Sequence, residues 1–167
     1  SRQEVLSFAQ LSALAFCFDD LVDNYPDTRD PATHFRDQPE AFSRTKDPRG
    51  LALYLLQKIQ SSLSPIQVQA FQGYMLRVFN LEIENKPLEA TPKTSHTLST
   101  LEKIAAEKGG ASVLLFRSVL AQAISIEEEN ALYLFGGLIQ RCDDIFDVWH
   151  DREAGNSTTA TYFLENG

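Results

Sequence analysis

Apolar side chains recur along this chain at helical spacing, and polar residues with turn chemistry separate the periodic stretches. From Ser1 to about Asn24, Val5, Leu6, Phe8, Ala9, Leu11, Ala13 and Leu14 form a broad stripe on one helix, which should stop at Pro26. The text from Tyr25 to Gly50 is rich in Pro, Asp and Arg and reads as a long loop with one short helical piece. A second helix is expected through LALYLLQKIQSSL. A third begins at Ser64-Pro65, a cap followed by Pro at the first helical position, and continues to about Lys86. KPLEATPKTS reads as a linker. A fourth helix covers Leu98 to Lys108 and meets Gly109-Gly110, which end it, kink it or pack closely; a fifth runs through ASVLLFRSVLAQA. Ser125 with Glu128 three residues on forms a capping box, so a sixth helix should start there and run to a stop near Gly155. There is no hairpin-linked strand pair and no fixed-period repeat. The expected fold is all-α, one helical domain over residues 1–167.

Composition narrows the class. With 43% hydrophobic and 23% charged residues the chain is neither disordered nor membrane-like, and no apolar run reaches the roughly 18 residues that span a bilayer. The N-terminal residues do not read as a signal peptide, and a cytoplasmic location is expected. A net charge of −8 argues against a nucleic-acid partner. Six of the acids sit in two clusters, so outside those clusters the chain is nearly neutral. The two cysteines, Cys17 and Cys142, are expected as small core residues of a reduced protein.

The clusters are CFDDLVDN, Cys17 to Asn24, and RCDDIFDV, Arg141 to Val148. Residues four apart share a helix face, so Asp19 and Asp23 point one way with Asp20 beside them. Asp143 and Asp147 do the same, with Asp151 one turn further along. Carboxylates stacked in this way repel one another unless a cation sits among them. Oxygen-only ligands suit Mg²⁺, whose coordination is completed by water and substrate phosphates. Asp occupies 11 of 167 positions, so about 0.05 DDxxD matches are expected by chance and two are not readily accidental. Both clusters are flanked by apolar residues: Leu14, Phe16 and Phe18 in one case, Leu138, Ile139, Ile145, Phe146 and Trp149 in the other. Acids at the rim of an apolar cavity fit a substrate with one charged end and one hydrocarbon end.

On these motifs the chain resembles the class I isoprenoid synthase superfamily, and within it the trans-prenyl diphosphate synthases. Asp19-Asp20-Leu-Val-Asp23 looks like the first aspartate-rich motif. GLIQRCDDIFDV, from Gly137, looks like the second, with Gln140 three residues before the Asp pair. Glu107 to Gly110, followed by Leu114 to Phe116, resembles the segment in which a lysine binds diphosphate, and Lys108 matches that lysine. Of two arginines that follow the first motif in the family, the first corresponds to Thr28 and the second is kept as Arg29. The resemblance covers nearly all of this sequence, which has about half the family's usual length and lacks the segment that holds the homoallylic diphosphate.

The resemblance implies a helical bundle, in truncated form, around a central metal and diphosphate cavity, and a homodimer. It implies Mg²⁺ held by Asp19, Asp23, Asp143 and Asp147, with Asp20 and Asp144 as ligands or supports, and diphosphate held by Lys108, Arg29 and Gln140. The partners would be an allylic prenyl diphosphate and, for elongation, isopentenyl diphosphate. Leu14 and Ala15 fall one turn before the first motif, where side chains limit product length in the family. With no aromatic residue there, products longer than the farnesyl class are expected. A terpene cyclase is the first alternative, since Asp143, Asp147 and Asp151 keep the spacing of that branch's second metal motif. A squalene- or phytoene-synthase-like enzyme is another, and a non-catalytic helical partner subunit a third. Intact acids in both clusters speak against the last of these.

Overall fold

A computed structural model of the chain describes residues 1–24, 31–43, 48–89 and 97–167, with the side chains of 22–24, 31–33, 42 and 84–89 outside the description. Helices are the regular structure of the described residues, which contain no strand, as the periodicity predicts. The helices are α1 (Arg2–Asn24), α2 (Pro31–Asp37), α3 (Pro48–Ser62), α4 (Pro65–Glu89), α5 (Leu98–Ser118), α6 (Ile126–Phe146), α7 (Val148–Ala154) and α8 (Thr159–Asn166), with a 3₁₀ turn over Pro39–Phe42. None is long and apolar enough to cross a membrane. The chain divides into two compact units, Ser1–Phe79 with Leu115–Gln122, and Asn80–Leu114 with Ala123–Gly167.

The first unit is organised by α1. Ser7, Leu11, Leu14, Phe18 and Leu21 are buried, a four-three-four-three spacing that places all five on one helix stripe. Its partner α3 buries Ala52, Leu53, Leu55, Leu56 and Ile59 in the same way. The Ser7 and Ser62 hydroxyls meet at 3.0 Å, so the N-terminal part of α1 lies beside the C-terminal end of α3. Phe18 stacks on Phe79 with ring centroids 3.8 Å apart, and Phe35 packs at a tilt on the same ring. α4 starts where Ser64-Pro65 predicts: Ser64 Oγ accepts from the Gln67 amide, and Gln67 Oε1 accepts from the Ser64 amide. Gln67 Nε2 also donates to the Leu120 carbonyl, and the Ala121 amide donates to Glu4, which fixes the segment after α5.

The second unit is held by a close helix crossing. Gly109 and Gly110 do not end a helix; α5 continues through them from Leu98 to Ser118, joining what the sequence divides into a fourth and a fifth helix. A Cβ on Gly109 would lie 2.1 Å from the Gly136 carbonyl oxygen, and a Cβ on Gly136 would lie 2.1 Å from that of Gly109. Close packing, one of the roles open to the pair, is found. Gly137 meets α5 less closely, its Cβ position lying 3.1 Å from the Ala106 Cα.

Further boundaries differ from expectation. The described residues of the Tyr25–Gly50 stretch contain two short helical pieces, α2 and the 3₁₀ turn, rather than one, and α3 starts three residues earlier than its apolar run. α4 reaches Glu89 with Pro87 in its last turn, into the expected linker, and α5 ends at Ser118 rather than continuing to Ala123. α6 starts at the Ser125 cap, whose hydroxyl accepts from the Glu128 amide at 3.2 Å, but it breaks at Asp147 (φ −94°, ψ 4°) before α7. Gly155, in the left-handed region at φ 82°, closes α7. Beyond it, α8 has no counterpart in the sequence reading.

The cysteines need one correction. Both are free, but Cys142 is exposed rather than a core residue, and Cys17 is half-buried. Burial, and then the charge of Asp20, pushes the Cys17 thiol up. The thiolate is the reactive form. A thiol reagent at neutral pH should therefore modify Cys142 rapidly and Cys17 about tenfold more slowly. Equal rates would contradict this placement.

Candidate functional site

The second aspartate cluster and the residues just after α7 line one cavity of about 200 Å³ in the second unit. The α6–α7 side contributes Gln140, Asp143, Asp144, Asp147 and Asp151; α5 contributes Leu101, Ile104, Ala105 and Lys108; the turn into α8 contributes Asn156, Ser157, Thr158 and Thr159. The break at Asp147 does not scatter the acids. The Asp147 amide donates to the Asp143 carbonyl at 2.9 Å and the Asp151 amide to the Asp147 carbonyl at 2.8 Å. The four-residue step thus continues across the junction, and three successive acids reach the same cavity.

Asp143 shows the consequence. Burial holds its carboxyl above the ordinary aspartate range, and the charges of Asp147, Asp144 and Asp151 push the same way, opposed by Lys108. Lys108 lies across the cavity on α5, 3.1 Å from Glu82 of α4, in a largely sheltered ion pair. The sequence singles out Lys108; nothing in its local pattern identifies Glu82 as the partner.

Asp144 is placed differently from its neighbours. It is buried, and its two oxygens accept from Gln140 Nε2 at 3.2 Å and Thr159 Oγ1 at 2.8 Å. Gln140 therefore bonds one turn along its own helix, and Asp144 ties α6 to the first residue of α8. The Asn156–Thr159 turn is itself strongly determined. Asn156 Nδ2 donates to Asp151 Oδ1 at 3.1 Å, and the Thr161 hydroxyl donates to the Asn156 carbonyl. Thr158 caps α8 with Thr161 as its reciprocal partner: each amide donates to the other's hydroxyl. A capping box restricted to Glu or Gln at the third position cannot detect this Thr-x-x-Thr version, which is why this wall of the cavity is missing from the sequence reading.

The first cluster belongs to the other unit. Asp19 is exposed and Asp20 half-buried near the end of α1, between the buried Phe18 and Leu21 in sequence. Asp23 lies on α1 with its side chain outside the described residues, and Arg29 is outside them altogether. Leu14 is core and Ala15 is exposed. The apolar neighbours divide likewise: Leu14 and Phe18 are buried, whereas Phe16, Leu138, Ile139, Ile145, Phe146 and Trp149 are exposed. Among the described residues, no three His, Cys, Asp or Glu side chains are grouped so as to hold a metal by themselves. Comparison with protein-family models, curated proteins and solved structures gave no match to this chain.

Proposed function

We propose that the protein is a Mg²⁺-dependent prenyltransferase that binds an allylic prenyl diphosphate and ionises it for chain elongation. The observation that carries this reading is the convergence of Asp143, Asp147 and Asp151 with Lys108 on one cavity of about 200 Å³. The donor set fits a hard divalent cation. It consists of carboxylate oxygens, and the Asp143 carboxyl is raised first by burial and then by the charges of Asp147, Asp144 and Asp151, which a cation would offset. Asp143, Asp147 and Asp151 are not grouped closely enough to hold a metal by themselves, so in this reading they would share a cation with phosphate oxygens and water. Bound Mg²⁺ supplies Lewis-acid stabilisation of the departing diphosphate.

The chain's own residues do the remaining work in this reading. Lys108 places a fixed positive charge beside the diphosphate, with Glu82 holding its ammonium in position. Asp144 keeps the α8 turn against the cavity through Thr159, and so acts as a positioning residue. The resemblance also assigns metal binding to Asp19, Asp20 and Asp23 and diphosphate binding to Arg29; these belong to the first unit or lie outside the described residues, and the reading of this cavity does not rest on them. Leu138, Ile145, Phe146 and Trp149 would meet the hydrocarbon part of the substrate. Like those four, Asp143 and Asp147 are carried by α6–α7.

The direct test is turnover of farnesyl diphosphate with Mg²⁺, with and without isopentenyl diphosphate. Elongated diphosphate only when both are present supports the proposal. A hydrocarbon product from farnesyl diphosphate alone would assign the cyclase or head-to-head alternative. Joint stabilisation by Mg²⁺ and inorganic pyrophosphate, absent with either alone, is expected in a thermal melt. Stabilisation without turnover would assign a non-catalytic subunit, and neither response would exclude the site.

A further inference from the structure

Ser157 breaks a rule that the rest of this turn obeys. It is only 7% exposed, yet its hydroxyl has no hydrogen-bond partner, while its neighbours Asn156, Thr158 and Thr159 each have theirs. A buried hydroxyl without a partner destabilises the fold, and native structures keep few of them. Ser157 lines the 200 Å³ cavity and sits immediately before the cap of α8. The first amides of a helix have no carbonyl one turn below, and the helix dipole adds partial positive charge at this end. Thr158 satisfies the amide of Thr161, which leaves Thr159 and Ala160 as the first two helical donors. The Asp144 carboxylate takes the Thr159 hydroxyl rather than its amide, so it does not occupy these backbone donors.

We infer that Ser157 and the first turn of α8 bind a terminal phosphate oxygen of the diphosphate, opposite Lys108. This deepens the proposed function and rests on it. The ligand class is a metal-bound di- or triphosphate rather than a free monoanion, because Asp143, Asp147 and Asp151 line the same cavity and repel an anion that brings no cation. The rival occupant is one structural water. Ser157 also borders a second space of about 10 Å³, at the lower limit for a single water.

Ser157→Ala separates these cases. If the hydroxyl serves only a ligand, the ligand-free variant melts at or above the wild-type temperature. Its affinity for inorganic pyrophosphate in Mg²⁺, measured by calorimetry, then falls about tenfold or more. A lower ligand-free melting temperature would show that the hydroxyl has a partner within the fold and would overturn the inference. So would a raised or unchanged melting temperature with unchanged pyrophosphate affinity. A wild-type protein that fails to bind pyrophosphate with Mg²⁺ would instead remove the functional reading on which the inference stands.

Discussion

Gly136→Ala should destabilise the second unit by about 3 kcal/mol, whereas Gly73→Ala should stabilise the protein by about 0.5–1 kcal/mol. Both replace a helical glycine with the best helix former, so propensity alone predicts a gain at each position. Packing reverses the sign at one of them. A Cβ on Gly136 would stand 2.1 Å from the Gly109 carbonyl oxygen, 2.5 Å from its carbon and 2.8 Å from the Gly110 Cα. All three are backbone atoms, so no rotamer change relieves the clash and α5 and α6 must separate. Around Gly73 nothing lies within 4 Å. Because α5 carries Lys108 and α6 the second aspartate cluster, separating them would also widen the cavity. Urea unfolding of the three proteins provides the check. A Gly136→Ala midpoint equal to wild type would show that this crossing is not close.

The same glycines show how far the sequence could be read. GG in an apolar stretch signals an end, a kink or a contact with equal force, because all three exploit a missing side chain. Only the partner helix decides among them, and Gly136-Gly137 lies 26 residues or more along the chain. The periodic stretch of α1 was legible as a helix but only partly as a core: Leu11 and Leu14 of the expected stripe are buried, whereas Val5, Leu6, Phe8 and Ala9 are exposed and Ser7 lies inside. The Asp147 break was not legible. It preserves the four-residue step that defines the pattern, so a continuous helix and a broken one read alike. α8 escaped because its cap uses Thr161 where Glu or Gln is the familiar signal. In the candidate site, the local acids and Lys108 were visible in their motifs. Glu82, Ser157 and Thr159 were not, since their roles depend on contacts over tens of residues in sequence or on a partner that is missing.

Within the second cluster, neighbouring aspartates should respond to mutation with opposite signs. Asp144→Ala removes both acceptors from a buried pair of hydrogen bonds, leaving Thr159 Oγ1 and Gln140 Nε2 without their carboxylate. Bonds to a charged group are among the stronger ones, so the loss should amount to about 2–4 kcal/mol and release the start of α8. Asp143→Asn should do the reverse. Burial and the charges of Asp147, Asp144 and Asp151 raise the Asp143 carboxyl above its ordinary value of 3.8, so the folded state holds this proton more tightly than the unfolded chain does. The contribution of Asp143 is therefore favourable below that ordinary value and is lost as pH rises through the raised one. Relative to wild type, Asp143→Asn should gain stability as pH climbs from acid to neutral, and the two melting curves should converge in acid. Mg²⁺ with pyrophosphate should erase the difference at neutral pH by stabilising wild type more than the variant, because the cation neutralises the charge that Asn removes. A parallel pH dependence of the two proteins would show that Asp143 does not carry this repulsion. A stable Asp144→Ala would show that the tie from α6 to α8 does not hold the turn in place.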